Sequence, residues 1–469
     1  MSIDFTPLRR RMTGDVILPD EAAYDRIRKW FIGCLTETLP QAIALCRTPG
    51  DVHAAVVFAR EHDMPFALRS GAHSFAEFSV CDGLVIDMDE LDGIVVDGDT
   101  VTTGPGVRIG PLADVLADHN RVVPFGWCTM VAVAGSSMGG GFGPLGRYYG
   151  LACDHLVAAD VVLADGTTVR TTDEHEPDLL WALRGAGGGN FGAVTSLTFR
   201  TRPSVPAIDV AAWWPAEHAA AVIDGWQRWA PTAPRHVNAE LVLRCWPDPD
   251  SEPILSVFGL MVDTSGGQAN RHVADLVDLV GMAPQRVTYT ELSARELPTH
   301  HTFAGEPVGH AKFGGRPAEY DHGVRFVKSE FFDGPAPRDA VAELAEHLLR
   351  DRSAGQQREL EFIPWGAEIG RPSPTDTAFV HRGAGFLLEH TVQAQGSATL
   401  QNESLEWARR SKEILAPWGN GRVYQNYPDR DLDDWTRAYY GDNIDRLRRI
   451  KTAYDPDNIF HFEQSIPPD

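Results

Sequence analysis

Two nucleophilic side chains sit among residues too small to shield them. His73 lies in LRSGAHSF, residues 68–75, just after a short apolar run. Cys128 lies in GWCTMVAVAGSSM, residues 126–138, which leads into GGGFG. An imidazole and a thiol are both nucleophiles when deprotonated, so one electrophilic cofactor could meet both. Each taken singly also fits a plainer role: a satisfied or solvated histidine, or a cysteine acting as a small buried hydrophobe. The glycine-rich run after Cys128 leaves backbone N–H groups unhindered, and such groups can cradle a pyrophosphate without any helix. A packed turn accounts for the same composition.

Two GxGxxG spacings, Gly141-Gly143-Gly146 and Gly187-Gly189-Gly192, do not read as dinucleotide fingerprints. That motif must follow a strand and open a helix. RYYGLACD after the first is short and irregular, and AVTSLTFRTR after the second alternates as a strand does.

The surrounding pattern is α+β. DVHAAVVFAREH, residues 51–62, has helical spacing behind Asp51 as its cap, and IGPLADVLADHN, 109–120, is a second amphipathic helix. PFALR and GLVIDM read as strands. GIVVDGDTVTTG and HLVAADVVLADGTTVRTT read as hairpins turning at Asp97-Gly98 and Asp165-Gly166. Past TRPSVP the texture changes: a Trp-bearing helix, AEHAAAVIDGWQRWA, precedes VNAELVLRCW and ILSVFGLMV, which suggest a half-buried sheet. The Pro- and Gly-rich stretches 305–317 and 364–376 read as loops, and LDDWTRAYYGDNIDRLRRIKTAYD as helical.

Composition narrows the partners. The 469 residues exceed one ordinary domain. With 42 Lys and Arg against 65 Asp and Glu, the net charge of −23 argues against nucleic acid or an anionic membrane. No window approaches a membrane span and no apolar leader follows the N-terminal arginines, so a cytoplasmic location is the expectation. The six cysteines, Cys34, Cys46, Cys81, Cys128, Cys153 and Cys245, form no CxxC pair, which argues against zinc sites and a disulfide framework; no metal is expected.

Taken together, RSGAHS (69–74), GWCTMVAVAGSSMGGGFG (126–143), RYYGLACD (147–154), DLLWALRGAGGGNFGAVTS (178–196), YQNYPD and YDPDNIFHFEQSIPP resemble the berberine bridge enzyme-like FAD-linked oxidases over nearly the whole chain. The resemblance implies an FAD-binding domain of the PCMH type, split between residues 1–203 and 415–469. A substrate domain, 204–414, is inserted between them, with an antiparallel sheet covered by helices. It implies FAD bonded to His73 and Cys128. It places Arg69, Ser70, Gly71, Ala72 and Ser74 on the cofactor. It adds Val131, Val133, Gly135, Ser136, Gly139, Gly140, Gly141 and Gly143 after Cys128, then Tyr149, Gly192, Val194 and Asn426. KSEFF, 328–332, and the Tyr424–Tyr427 segment match the substrate face.

Departures from the family pattern bear on mechanism. Ala72 replaces a glycine, a change expected to matter little. Ser136 replaces a histidine that helps stabilise the reduced flavin, so another donor must serve. Val131 stands where oxygen-reactive members carry a small branched residue, making dioxygen the expected acceptor. The implied reaction is oxidation of an alcohol or a secondary-metabolite carbon by hydride transfer, with hydrogen peroxide as by-product. A carbohydrate oxidase and a dehydrogenase with another acceptor are the alternatives. A base must take the substrate proton. Tyr424 is the first choice, provided a neighbour lowers its pKa, with Tyr427 beside it. Glu389 in GFLLEHTV is the second, and it reads equally well as an outward-facing strand glutamate. The expected partners are a small-molecule substrate and dioxygen, with the chain a monomer or homodimer.

Overall fold

The computed structural model describes residues 3–29, 38–307 and 323–469, and the statements below concern these. Cys34 and the part of the expected 305–317 loop beyond Pro307 lie outside the described residues. The architecture is α+β, with three main sheets.

The first sheet has four strands. Ala42–Leu45, Leu84–Asp87 and Phe66–Arg69 run parallel, and Asp15–Ile17 lies antiparallel at the edge. Their continuous apolar runs suit strands covered on both faces. The helix Pro49–Glu61 packs on this sheet, burying Val52, Ala55, Val56 and Ala59. Its cap is Thr48, whose hydroxyl accepts from the Asp51 N–H while Asp51 reaches back to the Thr48 N–H. Asp51 is therefore the third helical residue of a capping box and not the cap expected from sequence.

The second sheet is antiparallel, ordered Ile94–Asp97, Thr100–Thr103, Ala193–Arg200, Leu156–Val162, Thr168–Thr171. The first hairpin turns on Gly98 and Asp99, because Asp97 already pairs with Thr100; Gly98 takes φ +57°. The core beneath this sheet also contains Val423, Tyr439, Tyr440, Leu447, Ile450 and Ile466, so the C-terminal segment packs with residues from the N-terminal part. Lys451 locks it there. Buried completely, its ammonium donates to Asp455 at 2.6 Å and to the carbonyls of Asn190 and Phe460 at 2.7 and 2.6 Å.

The third sheet has seven antiparallel strands, ordered Arg286–Leu292, Ala207–Trp214, Ile254–Val262, Val237–Cys245, Gln356–Pro364, Phe386–Ala394, Val324–Phe332. One face buries Leu241, Leu243, Phe362, Phe386 and Leu388 under the helices Ala219–Trp229, Gly266–Val280, Arg338–Leu349 and Ala398–Leu415. Trp226, Trp229 and Trp407 belong to this core. The other face turns toward the glycine-rich segments. Arg147 fastens the two parts, its guanidinium donating to the carbonyls of Val237, Pro231, Ala233 and Trp365. Among the described residues no helix is long and apolar enough to cross a membrane.

Replacing Lys451 with Met strands the buried Asp455 carboxylate, a loss of about 3–5 kcal/mol. The thermal midpoint of the purified protein is expected to fall clearly. Arg410→Ala, which removes an exposed pair with Glu343, leaves it unchanged. Differential scanning fluorimetry of the two variants side by side checks the contrast.

Candidate active site

One cavity of about 1090 Å³ runs between the glycine-rich segments, the C-terminal segment and the polar face of the seven-stranded sheet. It slightly exceeds the ~300–1,000 Å³ usual for small-molecule and cofactor pockets, large enough to hold both a cofactor and a substrate.

The first wall is backbone. Ser70, Gly71, Ala72, His73 and Ser74 face the cavity together with Cys128, Val131, Gly135, Ser136, Gly141, Gly192 and Val194. At Gly71 a Cβ would lie 2.8 Å from the Ala132 Cβ and 2.8 Å from its amide nitrogen, so only glycine lets these two segments meet. Ala72 is left-handed at φ +56°. A non-glycine residue there costs roughly 1–2 kcal/mol, so the alanine is not the indifferent substitution expected from sequence. Gly187 and Gly189, at φ +87° and +79°, also line the cavity, in the left-handed region that favours glycine. Residues 133–138 form a short helix, where sequence suggested a loop without one.

Six residues expected on the cofactor lie outside the cavity wall. Arg69 is buried beside Asp87, donating at 2.8 Å, and also binds the Ile27 carbonyl, so it is an ion pair within the parallel sheet. Val133 points into the core, because the short helix turns Gly135 and Ser136 outward instead. Gly139 makes room for the Asn426 amide, Gly140 for Phe379, and Gly143 for the Phe125 carbonyl. The Tyr149 hydroxyl donates to the Pro203 carbonyl at 2.7 Å.

Electrostatics separate the two nucleophiles. Burial, then the positive charges of Arg108 and Arg325, pull the His73 pKa down to about 3, leaving a neutral imidazole. Cys128 is exposed into the cavity, where partial loss of water pushes its thiol up despite the N–H groups of Met130 and Val131 and the same two arginines. His73 is already in its nucleophilic form, whereas Cys128 must first lose a proton.

The opposite wall is acidic, and sequence reasoning found only one member of it. Strand register places Glu361 across from Glu389, and Glu359 across from both Thr391 and Arg244. Glu359, Glu361, Glu389, Arg244 and Arg325 all line the cavity. Glu389 is 3% exposed, which excludes the outward-facing alternative. Arg244 pairs with Glu359, and Arg325 lies 3.8 Å from Glu359 and 3.7 Å from Glu389. Behind them Glu240 accepts from Trp127 Nε1 at 2.9 Å and lies diagonal to Glu361 on the same face of the sheet. The signal was present in the strict alternation of RELEF and LLEHT. Alternation alone does not say whether the polar face meets solvent or a cavity.

The tyrosines differ. Tyr424 oxygen accepts from the Gly141 N–H at 2.9 Å and from Asn426 Nδ2 at 2.8 Å, and Asn426 also donates to the Ser136 carbonyl. Burial outweighs both donors and raises the Tyr424 pKa, so the lowering its role as base required does not occur. Tyr427 and Glu389 line the same cavity, and burial followed by the charges of Glu389 and Glu361 raises the Tyr427 pKa strongly.

Comparison with known proteins identifies the family. Residues 40–172 match the family model described as FAD binding domain, and residues 423–467 match Berberine and berberine like. The uncharacterized FAD-linked oxidoreductase YvdP of Bacillus subtilis is 31% identical over 468 residues, covering 98% of this chain and 99% of its own. The chain belongs to the berberine bridge enzyme-like FAD-linked oxidoreductases. The xylooligosaccharide oxidase of Thermothelomyces thermophilus is 30% identical, covering 92% and 87% of the two chains. The solved structure of BBE-like 1 from Physcomitrella patens superposes with a TM-score of 0.86 at 23% identity over 100% of both chains.

The residues present fit the FAD of this berberine bridge enzyme-like family. The close approach at Gly71 and the glycines at 187–189 leave one wall of the cavity to backbone and small side chains, room for a flat ring and its phosphates, and the cavity continues past it to the acidic wall. Gly71→Ala forces the segments apart. It is expected to purify with much less flavin per polypeptide, read from the ratio of visible to ultraviolet absorbance; full flavin content would exclude that wall as the cofactor site.

Proposed function

We propose that this chain is an oxidase holding FAD by bonds to His73 and Cys128, oxidising an alcohol or a secondary-metabolite carbon and passing the electrons to dioxygen to give hydrogen peroxide. The observation that carries the reading is that the Tyr427–Glu389 pair opens on the same cavity as His73 and Cys128. Bound FAD supplies the hydride acceptor. Tyr427 oxygen takes the proton of the substrate hydroxyl while its own proton passes to the Glu389 carboxylate. Neither a buried phenolate nor an exposed base is then required. Arg325 and the Thr391 hydroxyl, which donates to Glu389, hold that carboxylate in place. Tyr424 positions the 424–427 segment against Gly141.

The carbohydrate-oxidase alternative draws support from the similarity to the xylooligosaccharide oxidase and from the polar sheet wall, whose carboxylates and guanidiniums suit a substrate rich in hydroxyls. Anaerobic mixing with a panel of alcohols and oligosaccharides, followed by air, tests both readings. Bleaching of the flavin by one class, with one peroxide formed per turnover, identifies the substrate class and the acceptor. Bleaching that air does not reverse would exclude the oxidase.

Burial raises the Glu389 pKa above the ordinary glutamate range, with Arg325 opposing. A base must be ionised, so kcat/KM falls as pH drops through that raised value. Glu389→Gln is expected to slow flavin reduction by roughly 10²–10⁴-fold and to remove that acid limb. An unchanged limb would assign it to another group. Covalent attachment has its own readout: after acid precipitation, His73→Ala keeps flavin on the peptide carrying Cys128, Cys128→Ala keeps it on the peptide carrying His73, and the double variant releases it.

A further inference from the structure

The carboxyls behind Glu389 have no part in the reaction so far. Glu240, Glu361 and Glu389 are 0%, 8% and 3% exposed. Val242 pairs with Glu361, so Glu240, two residues earlier on the same face, lies diagonal to Glu361, and two buried carboxyls that close share a proton, one as acid and one as acceptor. Glu240 accepts from Trp127 Nε1 at 2.9 Å and from Asn238 Nδ2 at 3.5 Å, which makes it the acceptor and Glu361 the acid. Glu361 stands directly across from Glu389 in the sheet, at a separation of about 4.5–5.5 Å between Cβ atoms. Tyr427, Glu389, Glu361 and Glu240 thus form a continuous row from the cavity into the protein.

We propose that Glu389, Glu361 and Glu240 act together as a proton store, holding one proton at rest and two while the flavin is reduced. This rests on the assignment of Tyr427 and Glu389 to the substrate proton. The charged and titratable neighbours are Arg325 from Val324–Phe332, Arg244 from Val237–Cys245, Glu359 from Gln356–Pro364, and Tyr427. The two arginines balance Glu359 and one further charge, leaving the three carboxyls with more negative charge than their surroundings compensate. Like charges then favour taking up a proton, and burial raises the pKa of all three.

The balance is as follows. The substrate O–H breaks, its proton moves to Tyr427, and the Tyr427 proton moves to Glu389. The C–H breaks, its electron pair and hydrogen pass to FAD, and the carbonyl forms. Dioxygen then takes two electrons, that hydrogen and the stored proton, giving hydrogen peroxide and returning the row to one proton.

The test counts protons. The flavin-loaded enzyme is reduced anaerobically by one equivalent of substrate in weak buffer with a pH indicator, while absorbance follows the flavin. The expected wild-type result is no proton released together with an anionic reduced-flavin spectrum. About one proton per flavin is expected from Glu240→Gln/Glu361→Gln at wild-type flavin content, with Glu361→Gln alone as the milder variant. One proton released by the wild type, a neutral reduced-flavin spectrum, or unchanged retention in the variants would overturn the store. Glu389→Gln separates the two ideas. Reduction at the wild-type rate removes the base assignment itself, whereas slow reduction alongside proton release from the wild type removes only the store.

Discussion

Burying carboxylates is costly, and the whole arrangement follows from the row of them on one face of the seven-stranded sheet. An ion taken out of water without compensation costs several kcal/mol. Glu359 is compensated by Arg244 and Arg325, Glu389 by Arg325 and Thr391, and Glu240 by Trp127 and Asn238. The opposite face carries no such burden and packs as an ordinary helix-covered core. A sheet so divided has to meet a second body across a cavity, and the glycine-rich wall is that body.

The meeting constrains the first wall in turn. Gly71 admits Ala132, Gly139 admits Asn426 and Gly140 admits Phe379, so the segments carrying His73 and Cys128 are fixed against each other and against the C-terminal segment that carries Tyr424 and Tyr427. Trp127, next to Cys128, reaches Glu240 on the sheet. Arg325 lies where its charge is felt by His73 and Cys128 on one side and by Glu389 on the other. His73 and Cys128 on one wall and Glu389 on the other are therefore parts of one electrostatic arrangement.

Much of this was legible in the sequence. Hydrophobic period and Gly-containing turns located many of the strands and the helices Pro49–Glu61, Ile109–Asp118, Ala219–Trp229 and Ile444–Tyr454, but not Gly266–Val280, Arg338–Leu349 or Ala398–Leu415. The limits are specific. A capping box places its acid inside the helix, so Asp51 looked like the cap in place of Thr48. Glycines needed for close backbone packing, such as Gly139 and Gly143, have the same signature as glycines facing a ligand. Alternating strands report that a face is polar but not what it faces, which is why Glu361, Glu359, Arg244 and Arg325 escaped notice and Glu389 stayed ambiguous. Tyr424 and Tyr427 are separated only by their neighbours in the fold, which pattern does not carry.

The most direct test of the account is an experimental structure of the yellow holoenzyme. The account predicts density continuous from the flavin ring to His73 and to Cys128, with the Tyr427 hydroxyl and Glu389 facing the ring across the substrate space. A ring bonded to neither residue, or one with the acidic wall remote from its reactive face, would contradict it.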